Sequence, residues 1–219
     1  MSTNQNKKIP FTFPFRTIIL ANGEFPHHSE PLSFLKEANQ IICCDGGAEA
    51  AVKNGIEPDY ILGDIDSLPS ELQKRYKTRL HVDKDCEIND LTKAVNFCLS
   101  KNWNEITILG ATGKREDHSI GNVGLLGDYA ERAKIQMITD YGVFVPILQT
   151  AQFQSFAGQQ ISIFCLTPET NFTFFGLKYP LTRQKISKLW QGTLNEAIGN
   201  EFSIEMDAGK ALVFRNHFF

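Results

Sequence analysis

Residues 41–67 read IICCDGGAEAAVKNGIEPDYILGDIDS, and this stretch limits the folds open to the chain more than any other. Two short apolar runs, 41–44 and 60–62, are each followed at once by Asp and Gly, so two strands stop where carboxylates gather. Strands that read as unbroken apolar runs are buried on both faces, as in a parallel sheet covered by helices. Core packing alone gives no reason for Gly-Asp-Ile-Asp-Ser at a strand end. Asp45, Asp64 and Asp66 are therefore expected to form an anionic cup for Mg²⁺ and a polyphosphate. Asp64 and Asp66 stand two apart and face the same way in extended backbone. Brought to about 4 Å they would repel by about 4 kcal/mol at an effective dielectric of about 20, a cost that a divalent cation reverses. The same residues also read as a turn closed by side-chain-to-backbone bonds, and both readings stand at this point.

The neighbouring segments extend the pattern. Residues 17–21 (TIILA) form a β-branched run ending in Asn22-Gly23, which predicts a first buried strand and a turn. Residues 32–38 predict a short helix, 48–54 a helix closed by Gly55, and 58–62 the third strand. Residues 70–76 have helical period, and 90–101 carry Leu91, Ala94, Val95, Cys98 and Leu99 at helical spacing with Asn89 or Asp90 as cap. Residues 105–109 predict another strand, followed by a Gly-rich loop at 110–118 and a helix over about 119–132 that packs Ile120, Val123, Leu125 and Leu126. Ligands of such sheets sit outside the carboxyl ends of the strands, where the Gly and Asp clusters fall.

Near residue 140 the period changes. Ile161, Ile163 and Cys165, then Phe172 and Phe174, then Phe202, Ile204 and Met206, then Leu212 and Phe214 alternate with other residues between turn pairs. The expected architecture is thus an N-terminal extended arm (1–16, with FTFPF and two prolines), an α/β domain (17–142) and an all-β domain (143–219). The α/β part is a Rossmann-like, mostly parallel sheet with helices on both faces; the C-terminal part is a β-sandwich whose thin core calls for a neighbour or a second subunit.

A net charge of −3 supplies no basic stripe for nucleic acid. The five cysteines include no CxxC pair, which argues against a disulfide scaffold or zinc ribbon, and Cys43 and Cys44 read as small buried residues in a reducing cytosol. No segment has the make-up of a signal peptide, and no run approaches the roughly 20 apolar residues of a membrane span.

Further constellations add chemistry. Asp45 before Gly46-Gly47 sets a carboxylate and approachable backbone at a helix start, which suits phosphate. Asp90 opens a helix, where capping is the plain alternative to a role at the site. Residues 110–118 (GATGKREDH) are not a Walker loop, because only two residues separate the glycines and Arg115 follows Lys114. They can still offer Lys114 and Arg115 to phosphate and Asp117 to metal, while His118 reads as an acid–base group or as a helix-start residue. The chain has no GxSxG, HExxH or GxGxxG.

Taken together, CDGGA at 44–48, PDYILGDIDS at 58–67, NDLTKA at 89–94, GATGKREDH at 110–118 with Asn122 beyond, GLKYPL at 176–181 and GNEFSI at 199–204 resemble the thiamin pyrophosphokinases. The resemblance covers both domains in family order. It implies transfer of pyrophosphate from Mg²⁺-ATP to thiamine, giving AMP and thiamine diphosphate, in a cytoplasmic homodimer with the active site at the subunit interface. It further implies that Asp64, Asp66, Asp90 and Asp117 are catalytic and that Asp45, Asp64, Asp66 and Asp90 hold Mg²⁺. Asp45, Gly46, Gly47, Thr112, Gly113, Lys114, Arg115 and His118 would hold the nucleotide, and Tyr179, Leu181 and Asn200 would border thiamine. Three positions depart from the family pattern: Cys86 stands in place of Gln, Lys114 in place of a second Gly, and Gly199 in place of Ser. Two other readings share these residues: a related pyrophosphokinase or nucleotidyl transferase with another alcohol substrate, and a non-catalytic nucleotide- or thiamine-binding protein.

Overall fold

The structure, a computed structural model, describes residues 8–217; the first seven residues of the expected arm lie outside them. The described residues divide into two compact units, one of residues 14–125 and 132–140, the other of residues 8–13, 126–131 and 141–217.

In the first unit, strands β1 (Thr17–Leu20), β2 (Gln40–Cys44), β3 (Tyr60–Gly63), β4 (Leu80–Val82), β5 (Glu105–Leu109) and β6 (Lys134–Ile138) alternate with helices α1 (Ser29–Lys36), α2 (Gly47–Lys53), α3 (Ser70–Arg75), α4 (Asp90–Ser100) and α5 (Glu116–Tyr129), the last from residue 126 on counted with the second unit. The strands pair in the order β6-β5-β1-β2-β3-β4, every pair parallel. Ile18, Ile19 and Leu20 of the central strand are fully buried. At about 1.5–3 kcal/mol for each large apolar side chain removed from water, the middle of this sheet carries much of the unit's stability.

Strands β4 and β6 were not foreseen. β4 is a three-residue edge strand with one half-buried and two exposed residues, so it has no apolar run to read. β6 reads KIQMI, and its polar Gln136 is buried because its amide donates to Thr107 Oγ1 on β5 at 2.9 Å. Helix α4 matches its spacing: Asn89 is the cap, accepting from Thr92 N at 2.8 Å, and Leu91, Ala94, Val95 and Cys98 are buried. In α5 the expected face is wrong at one point, since Ile120 is 70% exposed. It lies nine residues before buried Tyr129, half a revolution round the helix at about 100° per residue.

The second unit is antiparallel. Strands β7 (Gly142–Ile147), β8 (Ala151–Gln154), β9 (Gln160–Cys165), β10 (Asn171–Phe175), β11 (Gln184–Lys185), β12 (Asn195–Glu196), β13 (Glu201–Met206) and β14 (Ala211–Asn216) form two layers ordered β12-β9-β14-β7 and β11-β10-β13-β8. The alternating residues Ile161 and Ile163, Phe172 and Phe174, and Phe202, Ile204 and Met206 all point inward. Phe153 and Phe202 are opposite one another on β8 and β13 with their rings stacked at 4.9 Å.

Residues 8–13 of the arm belong to this unit and residues 14–16 to the first. Ile9 exchanges backbone hydrogen bonds with Gln152 and Gln154. The fully buried Arg215 donates to the carbonyls of Pro10 (2.8 Å), Phe11 (3.0 Å) and Gln154 (3.0 Å) and lies over the Phe11 and Phe153 rings. Burial pushes this guanidinium down to about 9, so it is charged at neutral pH.

Candidate active site

In the first unit the strand order reverses at β1, which has β2 on one side and β5 on the other. Loops that leave the carboxyl ends of such neighbouring strands diverge to opposite faces and open a crevice between them. Here they are 21–23 after β1 and 110–115 after β5, and they line a cleft of about 750 Å³, a volume within the usual range of ligand sites, about 300–1,000 Å³. Gly23 is required at this junction: a Cβ there would fall 2.4 Å from the carbonyl oxygens of Gly110 and Thr112. The two loops are joined by Gly23 N to Gly110 O (2.7 Å) and Glu24 N to Thr112 O (2.8 Å).

The acidic wall comes from the segments that follow β3 and β4 and from the start of α4. Asp64, Asp85 and Asp90 line the cleft, whereas Asp45 and Asp66 lie outside its lining. Asp45 is buried and bends the chain in the left-handed region at φ 40°, with Ser67 Oγ donating to its Oδ2. Its Oδ1 is buried with no hydrogen-bond partner among the described residues. Burial pushes the Asp45 carboxyl up; the Ser67 bond offsets part of this, and the charges of Asp64 and Asp90 push further up. Asp64 Oδ1 accepts from Asp66 N at 3.1 Å, the side-chain-closed turn that the sequence also allowed. Ile65 between them holds φ 68°, a left-handed conformation that costs a β-branched residue about 1–3 kcal/mol.

Among the described residues, no three His, Cys, Asp or Glu side chains are gathered closely enough to hold a metal ion. The expected set Asp45, Asp64, Asp66 and Asp90 is not drawn into a cage. Without a cation between them, like charges gain by standing apart. The partnerless Asp45 oxygen, with the carboxylates of Asp64 and Asp90 near enough to act on it, nevertheless fits a hard divalent cation.

The opposite wall is basic. Gly110 and Gly113 hold φ 61° and 77°, and Lys114 follows at 57°. Lys114, standing in place of a second glycine, accepts about 1–2 kcal/mol of left-handed strain. Its ammonium donates to Asn22 O (3.2 Å) and Oδ1 (3.3 Å), and it lines the cleft with Gly113, Arg115, Asp117 and His118. Arg115 grips Asp117 through Nε at 3.0 Å and a second, shorter bond from Nη2. With His118 N donating to the same carboxylate, this fork holds Asp117 down at about 2. Asp117 is therefore a poor proton acceptor at neutral pH. It braces Arg115 and accepts from His118 N in the first turn of α5.

Other expected residues are not among those that line the cleft, Gly46, Gly47 and Thr112 included. Gly47 is buried where a Cβ would stand 2.8 Å from Ala21 O, so it lets α2 pack on the end of β1. Tyr179, Leu181 and Asn200 belong to the second unit. Tyr179 is exposed and its backbone N–H donates to Asn195 Oδ1 (3.0 Å), Leu181 O accepts from Phe174 N (3.0 Å), and Asn200 O accepts from Ser155 N (3.0 Å). At Gly199 a Cβ would meet nothing within 4 Å, so the missing hydroxyl there is not a matter of space. Sequence reasoning passed over Asn22, Gly23 and Lys93 as cleft residues. The signal for the first two was Asn-Gly directly after the first parallel strand. Cys86, one of the family departures, is exposed in the lining.

Family models match both parts of the chain: the thiamin pyrophosphokinase catalytic domain over residues 32–139 and the thiamin pyrophosphokinase substrate-binding domain over residues 142–214. The chain belongs to the thiamin pyrophosphokinase family. Thiamine pyrophosphokinase 2 of Arabidopsis thaliana is 24% identical over 200 residues, covering 77% of this chain and 74% of the relative. The Bacillus subtilis thiamine pyrophosphokinase is 35% identical over 112 residues, 49% of this chain and 52% of its own. Among solved structures, the thiamin pyrophosphokinase of Geobacillus thermodenitrificans superposes with a TM-score of 0.74 at 27% identity, covering 92% of this chain and 97% of that one. The parallel sheet followed by a β-sandwich is thus the fold of this family.

Proposed function

We propose that this family member transfers a pyrophosphoryl group from ATP to the hydroxyl of thiamine, with the ATP phosphates in the cleft at the end of β1 and β5. The observation that carries this is the meeting, within one cleft of a family member, of Lys114 and Arg115 on one wall with Asp64 and Asp90 on the other. In the reaction the thiamine hydroxyl oxygen bonds to the β-phosphorus, the bridge to the α-phosphate breaks, and AMP departs with the bridging oxygen. Such chemistry depends on in-line positioning and on neutralising charge at the leaving oxygen.

Lys114 and Arg115 supply fixed positive charge to the phosphates, Arg115 with its fork already oriented by Asp117. The hydroxyl proton passes to a cleft carboxylate, Asp64 or Asp90, and not to Asp117. Asp45, Asp64, Asp66 and Asp90 would hold Mg²⁺, which when bound supplies charge neutralisation to the phosphates. Tyr179, Leu181 and Asn200 would border thiamine.

The second unit carries exposed Phe175, Tyr179, Leu189, Trp190, Leu194 and Ile198, apolar surface that suits a homodimer whose interface completes the site. Light scattering should therefore give twice the chain mass, and a single-chain mass would remove the dimer. Among the described residues no helix is long and apolar enough to cross a membrane, and the buried free thiols Cys43, Cys44 and Cys98 suit a reducing cytoplasm. The partners are thiamine and ATP, not nucleic acid or lipid.

The test is incubation with ATP, Mg²⁺ and thiamine, followed by mass spectrometry. Thiamine diphosphate and AMP are expected in equal amounts. ADP with thiamine monophosphate, or AMP release with a pterin or nucleoside but not with thiamine, would overturn the assignment.

A further inference from the structure

Lys93 has no part in the chemistry above, yet its placement is costly on three counts. It is a lysine buried to 7% exposure, a class of residue almost never buried without a partner. It sits in the first turn of α4, where the helix dipole disfavours a cation. Buried side chains in helices that pack on a sheet are normally apolar, as its neighbours Leu91, Ala94 and Val95 are. A position where local rules are broken this way is a functional candidate.

The contacts show what the ammonium holds. Lys93 Nζ donates to Asp90 Oδ1 at 3.2 Å and to the carbonyl of Asp83 at 2.9 Å, and its side chain lines the cleft. Asp83 is the first residue after β4, and its own N–H donates to Gly63 O at 2.9 Å, at the end of β3. From there the loop 83–89 carries local bonds, Asp85 N to Asp83 Oδ1 (3.0 Å) and Glu87 N to Asp85 Oδ1 (2.9 Å). Asp90 also neighbours Gly63: a Cβ there would stand in van der Waals contact with the Asp90 carboxyl carbon, at 3.5 Å. One buried ammonium therefore joins the carboxylate at the start of α4 to the strand-end loop, with Gly63 between them.

We propose that Lys93 is a positioning residue for the pyrophosphoryl transfer: it fixes the Asp90 carboxylate and the 83–89 loop as a single wall of the cleft. The proposal rests on the function proposed above, and it deepens that reading by naming what holds the acidic wall in shape. Lys93 acts through Asp90. Two of its three donors are committed, and Lys114 and Arg115 remain the phosphate-facing cations.

The test compares Lys93→Met and Lys93→Ala with wild type in the full chain. Lys93→Met keeps the apolar stem, so its unfolding temperature should not fall, whereas kcat for thiamine diphosphate should drop by about 100-fold, the scale of a misplaced catalytic group. KM for ATP and thiamine should stay within about threefold, as for an interaction made in the transition state. Amide hydrogen exchange at residues 83–90 should accelerate at least tenfold in the unliganded variant, as for any segment released to open locally. Ethylammonium or propylammonium added to Lys93→Ala should restore part of kcat, a rescue that a purely structural role would not give. Wild-type kcat in Lys93→Met, a loss confined to KM for ATP, unchanged exchange at 83–90, or no rescue by either amine would overturn it. If wild type forms no thiamine diphosphate but exchange at 83–90 still accelerates, the function proposed above fails while the hold of Lys93 on the wall stands.

Discussion

Replacing Asp64 by Asn lowers the rate of thiamine diphosphate formation by about 10²–10³-fold, the scale on which a single preorganised charge contact is worth in a transition state. The substitution keeps the shape and keeps an oxygen that accepts from Asp66 N, so the turn at 64–66 should survive and the unfolding temperature should hardly change. What is removed is the one carboxylate of the GDIDS segment that lines the cleft. Asp66→Asn should fall less, because that side chain is exposed and outside the lining. Rates are measured at saturating ATP with Mg²⁺ varied. The Asp64 variant should need a higher Mg²⁺ concentration for half-maximal rate as well as losing turnover, and near-wild-type behaviour in both variants would sink the acidic wall as a metal and phosphate site.

The sequence was readable where burial and chemistry demand different residues. A parallel strand buried on both faces must be apolar, so Asp45, Asp64 and the glycines beside them could only be strand ends, and the structure puts them there. The period-two alternation of Phe172 with Phe174 and of Ile161 with Ile163 likewise marked the sandwich faces. The parts missed are those in which the local sequence is neutral. β4 is held by pairing with β3 rather than by its own hydrophobicity, and β6 tolerates a buried Gln because Thr107 lies opposite. Within the site, single residues were legible but their partners were not. Asp117 was legible as an acidic group, but not its pairing with Arg115, and Asp90 reads as a cap until Asn89 is seen taking that role. Lys93 could not be singled out at all, since its meaning lies in a carbonyl ten residues away.

Asp45→Asn should abolish at least about 99% of turnover while leaving the unliganded protein as stable as wild type or more so, with a gain of up to about 1 kcal/mol or roughly 2–4 °C in Tm. The reason is geometric first: one carboxylate oxygen is buried with no partner, near two other acidic groups, at a residue already held in the left-handed region. The direction of the pKa shift agrees. A carboxyl whose folded pKa lies above the usual 3.8 favours folding while protonated, so its contribution is present at acid pH and is lost as pH rises through the raised value. Above that window the ionised Asp45 is a liability in the free protein, which a bound cation would convert into a contact. Asparagine removes the charge and can still accept from Ser67. Thermal unfolding followed as pH rises from the ordinary carboxylate value of 3.8, with and without Mg²⁺ and ATP, should thus show wild type losing stability with rising pH and regaining it on ligand addition. The variant should have a flatter pH profile and a smaller gain from ligand. A variant that is destabilised by more than about 1 kcal/mol without ligand would mean that Asp45 is held in place for the fold and not for the cation, since loss of a stabilising buried group costs on that scale.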